Sequence, residues 1–190
     1  AAFSTDRLLK SASVFDTEKL AWLNGRHLAE QPDKELAQHI RGHLDDEESF
    51  RPDLLLNETW VSELLEVIKP RARTLDELAD QARPFLCDQL HFDEKAVAKH
   101  WEKDPTSAIE RLDALSDAFD GVAWTREDLE NALRARAESM DVGAGKLIHP
   151  LRVALTGNMA SPGIFDVLAL LGRDRALKRM EDGVVRIGGR

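Results

Sequence analysis

The stretch that decides how this chain is read runs from Lys146 to Phe165: KLIHPLRVALTGNMASPGIF. Its first half is an apolar helical run with a proline, Pro150, inside it. A proline in a helix interior removes one backbone donor and crowds the preceding turn, at a cost of roughly 3 kcal/mol. Something other than packing is expected to offset that cost, and a functional kink is one candidate. Thr156-Gly157-Asn158 then breaks the helix. Ser161-Pro162-Gly163 opens the next, with Ser161 as the expected N-cap and Pro162 at the first helical position. Helix, turn and helix follow one another with no alternation of strand type.

The same pattern holds on either side. Asp16 can cap a helix running towards Asn24-Gly25, with Leu20, Leu23 and Leu28 as its apolar stripe. Pro32-Asp33 opens a second helix carrying Leu36, Ile40 and Leu44. A third spans about Asn57 to Ile68 and ends at Lys69-Pro70-Arg71. There the proline biases its predecessor out of the helical region, so Arg71 is presented at a helix end. Thr74 to Glu77 is a capping box. A junction falls near residue 90. Helices are then expected over about 93–103, 106–119 and from Thr125, and a last one over about 173–180 with a frayed tail after it. About ten helices and no strand predict an all-α chain of two small tandem bundles. Residues 1–30 are an entry segment, 31–90 a first helical subdomain and 91–190 a second.

At 190 residues and 43% hydrophobic composition the chain can bury one good core or two small ones. No apolar run approaches the roughly 20 residues that span a bilayer, so no membrane partner is expected, and the N-terminus carries no secretion signal. The lone cysteine, Cys87, excludes an internal disulfide and fits a reducing compartment. The net charge of −9 runs against nucleic-acid binding. The distribution matters more than the total, and two basic clusters stand out. Lys69, Arg71 and Arg73 form one; Lys146, Arg152, Arg173, Arg175, Lys178 and Arg179 form the other.

Catalytic signatures are missing. His39-Ile40-Arg41-Gly42-His43 nearly spells the class I synthetase nucleotide-binding motif, but Arg41 breaks the spacing and no strand precedes it. The matching lysine-rich signature is absent, and Asp141 to Gly145 lacks the spacing of a phosphate loop. His39 and His43, four apart, are the best metal pair. Spacing identifies no acidic third ligand and no second shell, so no metal is expected. On its own the chain should catalyse nothing.

Two blocks carry a family resemblance. One is Gly145 to Gly157 followed by Ser161-Pro162-Gly163-Ile164-Phe165; the other is Val14-Phe15-Asp16, Glu18-Lys19-Leu20, Trp22, Asn24 and Gly25. In order and separation they resemble the anticodon-binding region of bacterial-type glutamyl-tRNA synthetase, over nearly the whole chain. The resemblance implies that Arg71 inspects the anticodon, separating glutamate tRNA from glutamine tRNA. It places His149, Pro150, Arg152, Pro162, Gly163, Ile164 and Phe165 around splayed anticodon bases, and Lys19 and Trp22 against the tRNA stem. His149 stands where glutamine is common in the family, and Ile164 where leucine is. The implied partner is tRNA(Glu), not DNA, bound by a cytoplasmic monomer. ATP would be used only by a catalytic domain outside this chain, which begins with Ala1 and reads as part of something longer. The competing expectation is a free-standing helical adaptor that binds protein, which the acidic balance favours.

Overall fold

The computed structural model describes residues 16–189. They form ten α-helices: α1 (Thr17–Glu30), α2 (Asp33–Leu44), α3 (Glu58–Ile68), α4 (Leu75–Leu86), α5 (Glu94–Val97), α6 (Pro105–Phe119), α7 (Arg126–Ser139), α8 (Gly145–Thr156), α9 (Ile164–Leu171) and α10 (Arg173–Gly188). A π turn, Ala98–Glu102, continues α5. The all-α expectation holds among the described residues, where β pairing is limited to one isolated antiparallel bridge between Phe50 and Cys87. Val14 and Phe15 of the upstream block lie outside the described residues.

Local capping chemistry starts most of these helices where the sequence places them. Asp16 accepts from the Lys19 amide and Asn57 from that of Trp60. Thr74 accepts from Glu77, whose carboxylate in turn takes the amide of Arg73. Thr125 accepts from Asp128. Each bond satisfies one of the donors that a helix start leaves unpaired.

In the first half α2 packs on α4 and α3 touches both; in the second, α6 is contacted by α7, α8 and α10. The halves meet where α3 touches α9 and α4 touches α8. Polar bonds knit that junction. The Trp60 indole donates to the Leu170 carbonyl at 3.0 Å. Arg175 donates to Phe85 O at 2.8 Å, and Arg179 to Cys87 O at 2.8 Å and Leu155 O at 2.6 Å. These carbonyls sit at the C-terminal ends of α4 and α8, where carbonyls lack helical donors and the helix dipole favours a cation. Burial holds both guanidinium groups below the usual arginine range, Arg179 at about 10, so both remain cations at neutral pH. Gly157 ends α8 at φ +74°, and a Cβ there would lie 2.0 Å from the His91 carbonyl. Only glycine fits both the left-handed backbone and that approach. The Gly157 carbonyl then accepts from the Asp93 amide, which starts α5.

Four expectations are corrected. The last helix does not fray after Met180 but runs to Gly188, with Gly183 and Ile187 buried. Gly183 is the place where α10 closes on α8: a Cβ there would meet that of Ala154 at 3.3 Å. Secondly, α9 begins at Ile164 with Gly163 as N-cap, two residues later than Ser161-Pro162 suggests. The Ser161 hydroxyl is used elsewhere: its oxygen accepts from Arg152 and its proton goes to the Pro162 carbonyl. Thirdly, the stripe on α1 buries only Leu28, leaving Leu20 and Leu23 exposed. Finally, much of the C-terminal basic cluster is tied up within the protein, although only Arg179 of it is buried. Arg173 donates to the carbonyls of Phe119 and Val122, Arg175 and Arg179 bind as above, and Lys178 pairs with Asp182.

Candidate nucleic-acid interface

A cleft of about 500 Å³ opens where the halves meet. One wall is Arg71, in the 3-10 turn Lys69–Arg71 after α3, with Asp80, Gln81 and Pro84 of α4. The other is the loop between α8 and α9, from Asn158 to Pro162, with Thr156. The turn that carries Arg71 is fixed from behind, since the Gln81 amide donates to the Arg71 carbonyl at 2.9 Å. The Arg71 side chain is exposed and makes no ion pair or hydrogen bond among the described residues.

Arg152 is used differently. One nitrogen of its guanidinium donates to the carbonyls of Ser161 (3.2 Å) and Pro162 (2.8 Å) and to the Ser161 hydroxyl. It clamps the loop that forms the second wall. Burial lowers its pKa first, and the like charge of Arg71 lowers it further. Two cations are therefore held close together at one cleft, and no carboxylate among the described residues is bonded to either. Asp80 and Asp93 also line this cleft, so its charge is mixed, with the Arg71 fork as its lining cation.

His149 lies outside this cleft, in a second groove of about 750 Å³ that also carries Lys99, His100, Lys103, Arg111 and Lys146. Its ring stacks on that of His100, centroids 4.8 Å apart and planes 13° from parallel. Burial, then His149 and Lys99, hold His100 below the usual histidine range. His149, Arg152 and Thr156 recur at helical spacing along one face of α8, so the groove and the cleft border the same helix face.

The remaining residues named from the sequence divide. Pro162 lines the cleft, although the residue is buried overall. Gly163 is exposed at the start of α9, facing the Asp166 carboxylate that Arg126 binds at 2.6 Å. Phe165 is half-buried, and Ile164, 4% exposed, belongs to the core and presents no face to a base. Pro150 is buried inside an uninterrupted α8, and its carbonyl accepts from the Trp101 indole at 3.2 Å. On α1, Lys19 and Trp22 are both exposed, with the Arg26 guanidinium 5.4 Å above the tryptophan ring. The sequence reading missed Gln81 and the groove lysines Lys99 and Lys103. The four-residue spacing of those lysines was the available signal; their meeting with Lys146 and His149 had none.

A family model described as an anticodon-binding domain matches residues 34–184. This chain belongs to that family. Among curated proteins it is 40% identical over 182 residues to "Glutamate--tRNA ligase 1" of Sphingopyxis alaskensis, covering 94% of this chain and 36% of that one. It is 34% identical over 192 residues to the glutamate–tRNA ligase of Desulforudis audaxviator, covering 99% and 38%. The chain thus spans little more than a third of these relatives. A crystal structure of a glutamate tRNA ligase from Elizabethkingia meningosepticum matches its fold with a TM-score of 0.76 at 21% identity, over 96% of this chain and 35% of that one. The cleft between α4 and the α8–α9 loop is accordingly a feature of an anticodon-binding domain. No helix among the described residues is long and apolar enough to cross a membrane.

Proposed function

We propose that this chain reads the anticodon loop of tRNA(Glu) for a glutamate–tRNA ligase, binding it as a monomer in the cytoplasm. Attachment of glutamate is the work of the rest of a longer ligase, which would use the ATP. The halves on either side of residue 90 act as two subdomains, each giving one wall of the cleft. The observation that carries this reading is the contrast within the cleft. The Arg71 side chain has no partner among the described residues on one wall, and Arg152 builds the other from a loop of backbone carbonyls and amides.

An extruded base entering the cleft meets a planar, permanently charged fork at Arg71, which can bond its acceptor edge or stack on its face. The Asn158 side chain and the loop backbone offer both donors and acceptors opposite it. Lys99, Lys103 and Lys146 carry positive charge beside α8, in the groove that His149 also lines, where the phosphates on either side of the read bases can run. Lys19 and Trp22 on α1 remain available to the stem.

The test is a mobility-shift titration at low salt, with tRNA(Glu) against an unrelated tRNA. Arg71→Ala should weaken tRNA(Glu) binding by about 1–3 kcal/mol and leave the melting temperature unmoved, because the side chain is exposed. Equal affinity for the two tRNAs in the wild-type chain would overturn the identity-reading proposal.

A further inference from the structure

The pair His39 and His43 acquires in the fold what the linear sequence does not offer it. The two histidines lie one turn apart on α2, and α2 packs on α4. Asp76 and Asp80 lie one turn apart on α4, facing them. His39 Nε2 is 3.9 Å from Asp76 Oδ1, and His43 Nδ1 is 3.6 Å from the same oxygen. One donor atom from each of His39, His43 and Asp76 fits within 4.8 Å of the others. We infer that these three residues form a site for a divalent transition ion of the zinc class, tying α2 to α4.

Three observations support the site. His39 Nε2 is shielded from solvent and has no hydrogen-bond partner, although it points at the Asp76 carboxylate. A bound cation satisfies it. The two nitrogens of His43 face different carboxylates: Nδ1 looks to Asp76, and Nε2 lies 3.7 Å from Asp80. A histidine that ligates through one nitrogen and gives the other N–H to a carboxylate is the usual way a protein orients a metal-binding imidazole, and Asp80 stands just beyond hydrogen-bond distance for that role. Asp80 is steadied in turn by Arg83, which donates to it at 3.1 Å and also pairs with Glu47. Lastly, two imidazoles and one carboxylate select borderline ions such as Zn²⁺ over Ca²⁺ or Mg²⁺, which prefer all-oxygen shells. Asp76 itself is 78% exposed, so the site is reached from solvent on the carboxylate side.

This inference goes beyond anticodon recognition and does not depend on it. It is tested by calorimetric titration of the untagged 190-residue chain with Zn²⁺, with Co²⁺ as a visible-absorption probe. One equivalent should bind. Asp76→Asn, His39→Ala and His43→Ala should each weaken binding at least tenfold, and Asp80→Asn, which acts through His43, by about tenfold. His100→Ala, in the other stacked histidine pair, should change nothing. Zn²⁺ should raise the melting temperature of the wild type but not of His43→Ala. The site is overturned if Zn²⁺ binding survives the His39→Ala and His43→Ala changes together, or if it moves to the His100 variant instead. Should a histidine variant fail to fold by circular dichroism, Asp76→Asn decides the matter alone, since that side chain supports nothing else in the core.

Discussion

Arg179 and Arg71 are the same residue in the same protein, spent in opposite ways. Arg179 is 6% exposed and ties the ends of α4 and α8 together through two carbonyls. Arg71 is exposed at the cleft, and its side chain is bonded to nothing among the described residues. Arg152 lies between these extremes: it holds a loop while its charge still reaches the cleft. The lesson is that positive charge in this acidic chain is divided between assembly and the proposed recognition. A count of basic residues along the sequence cannot separate the two, whereas the presence or absence of a carbonyl partner can.

The comparison breaks first at its buried end. Arg179→Met removes two charge-assisted bonds and leaves carbonyls at two helix ends unsatisfied, a loss of about 2–4 kcal/mol offset in part by no longer burying a charge. Urea unfolding should register a net destabilisation of about 2 kcal/mol, with tRNA affinity unchanged in the fraction that stays folded. Arg71→Ala should do the reverse, as stated above. If both variants lost stability equally, the division between assembly and recognition would be wrong. Arg152→Ala sharpens the middle case: it should lower stability by about 1 kcal/mol and also weaken tRNA binding, because the loop it clamps is a cleft wall. A pure binding defect with an unchanged melting temperature would move Arg152 to the recognition side.

The smallest effect concerns His100. The fold holds its pKa below the ordinary value, so the neutral ring is favoured in the native state and the unfolded chain takes up the proton first. Its stabilising share is present above about pH 6.5 and lost as the pH falls through the unfolded and then the folded value. His100→Gln should therefore narrow the drop in melting temperature between pH 7.5 and pH 5.5 by about 2 °C, read by calorimetry in the absence of RNA.

Much of this was legible beforehand, and the parts that were not share a cause. The caps at Asp16, Asn57, Thr74 and Thr125 are local chemistry, complete within four residues, and the helix starts they set were readable. The proximity of Arg71 to the α8–α9 loop followed from family resemblance, not from any local signal. What the linear reading could not see depends on distant partners. The interior role of Arg175 and Arg179 is set by carbonyls some ninety positions earlier. The continuation of α10 past Gly183 is set by the close approach of Ala154. The helix start at Ile164 was masked because Ser161 and Pro162 imitate a cap that Arg152 has already claimed. Asp76 could not be placed opposite His39 and His43 until α2 and α4 were known to pack.

The bonds of Trp60, Arg175 and Arg179 across the junction have a consequence for how errors are refused. A gap whose two jaws are welded together works as a gauge, not as a grip. If the chain reads an anticodon loop as proposed, such walls would not close on a loop of the wrong shape, and discrimination would fall at the moment of entry, without the cost of first rearranging the protein.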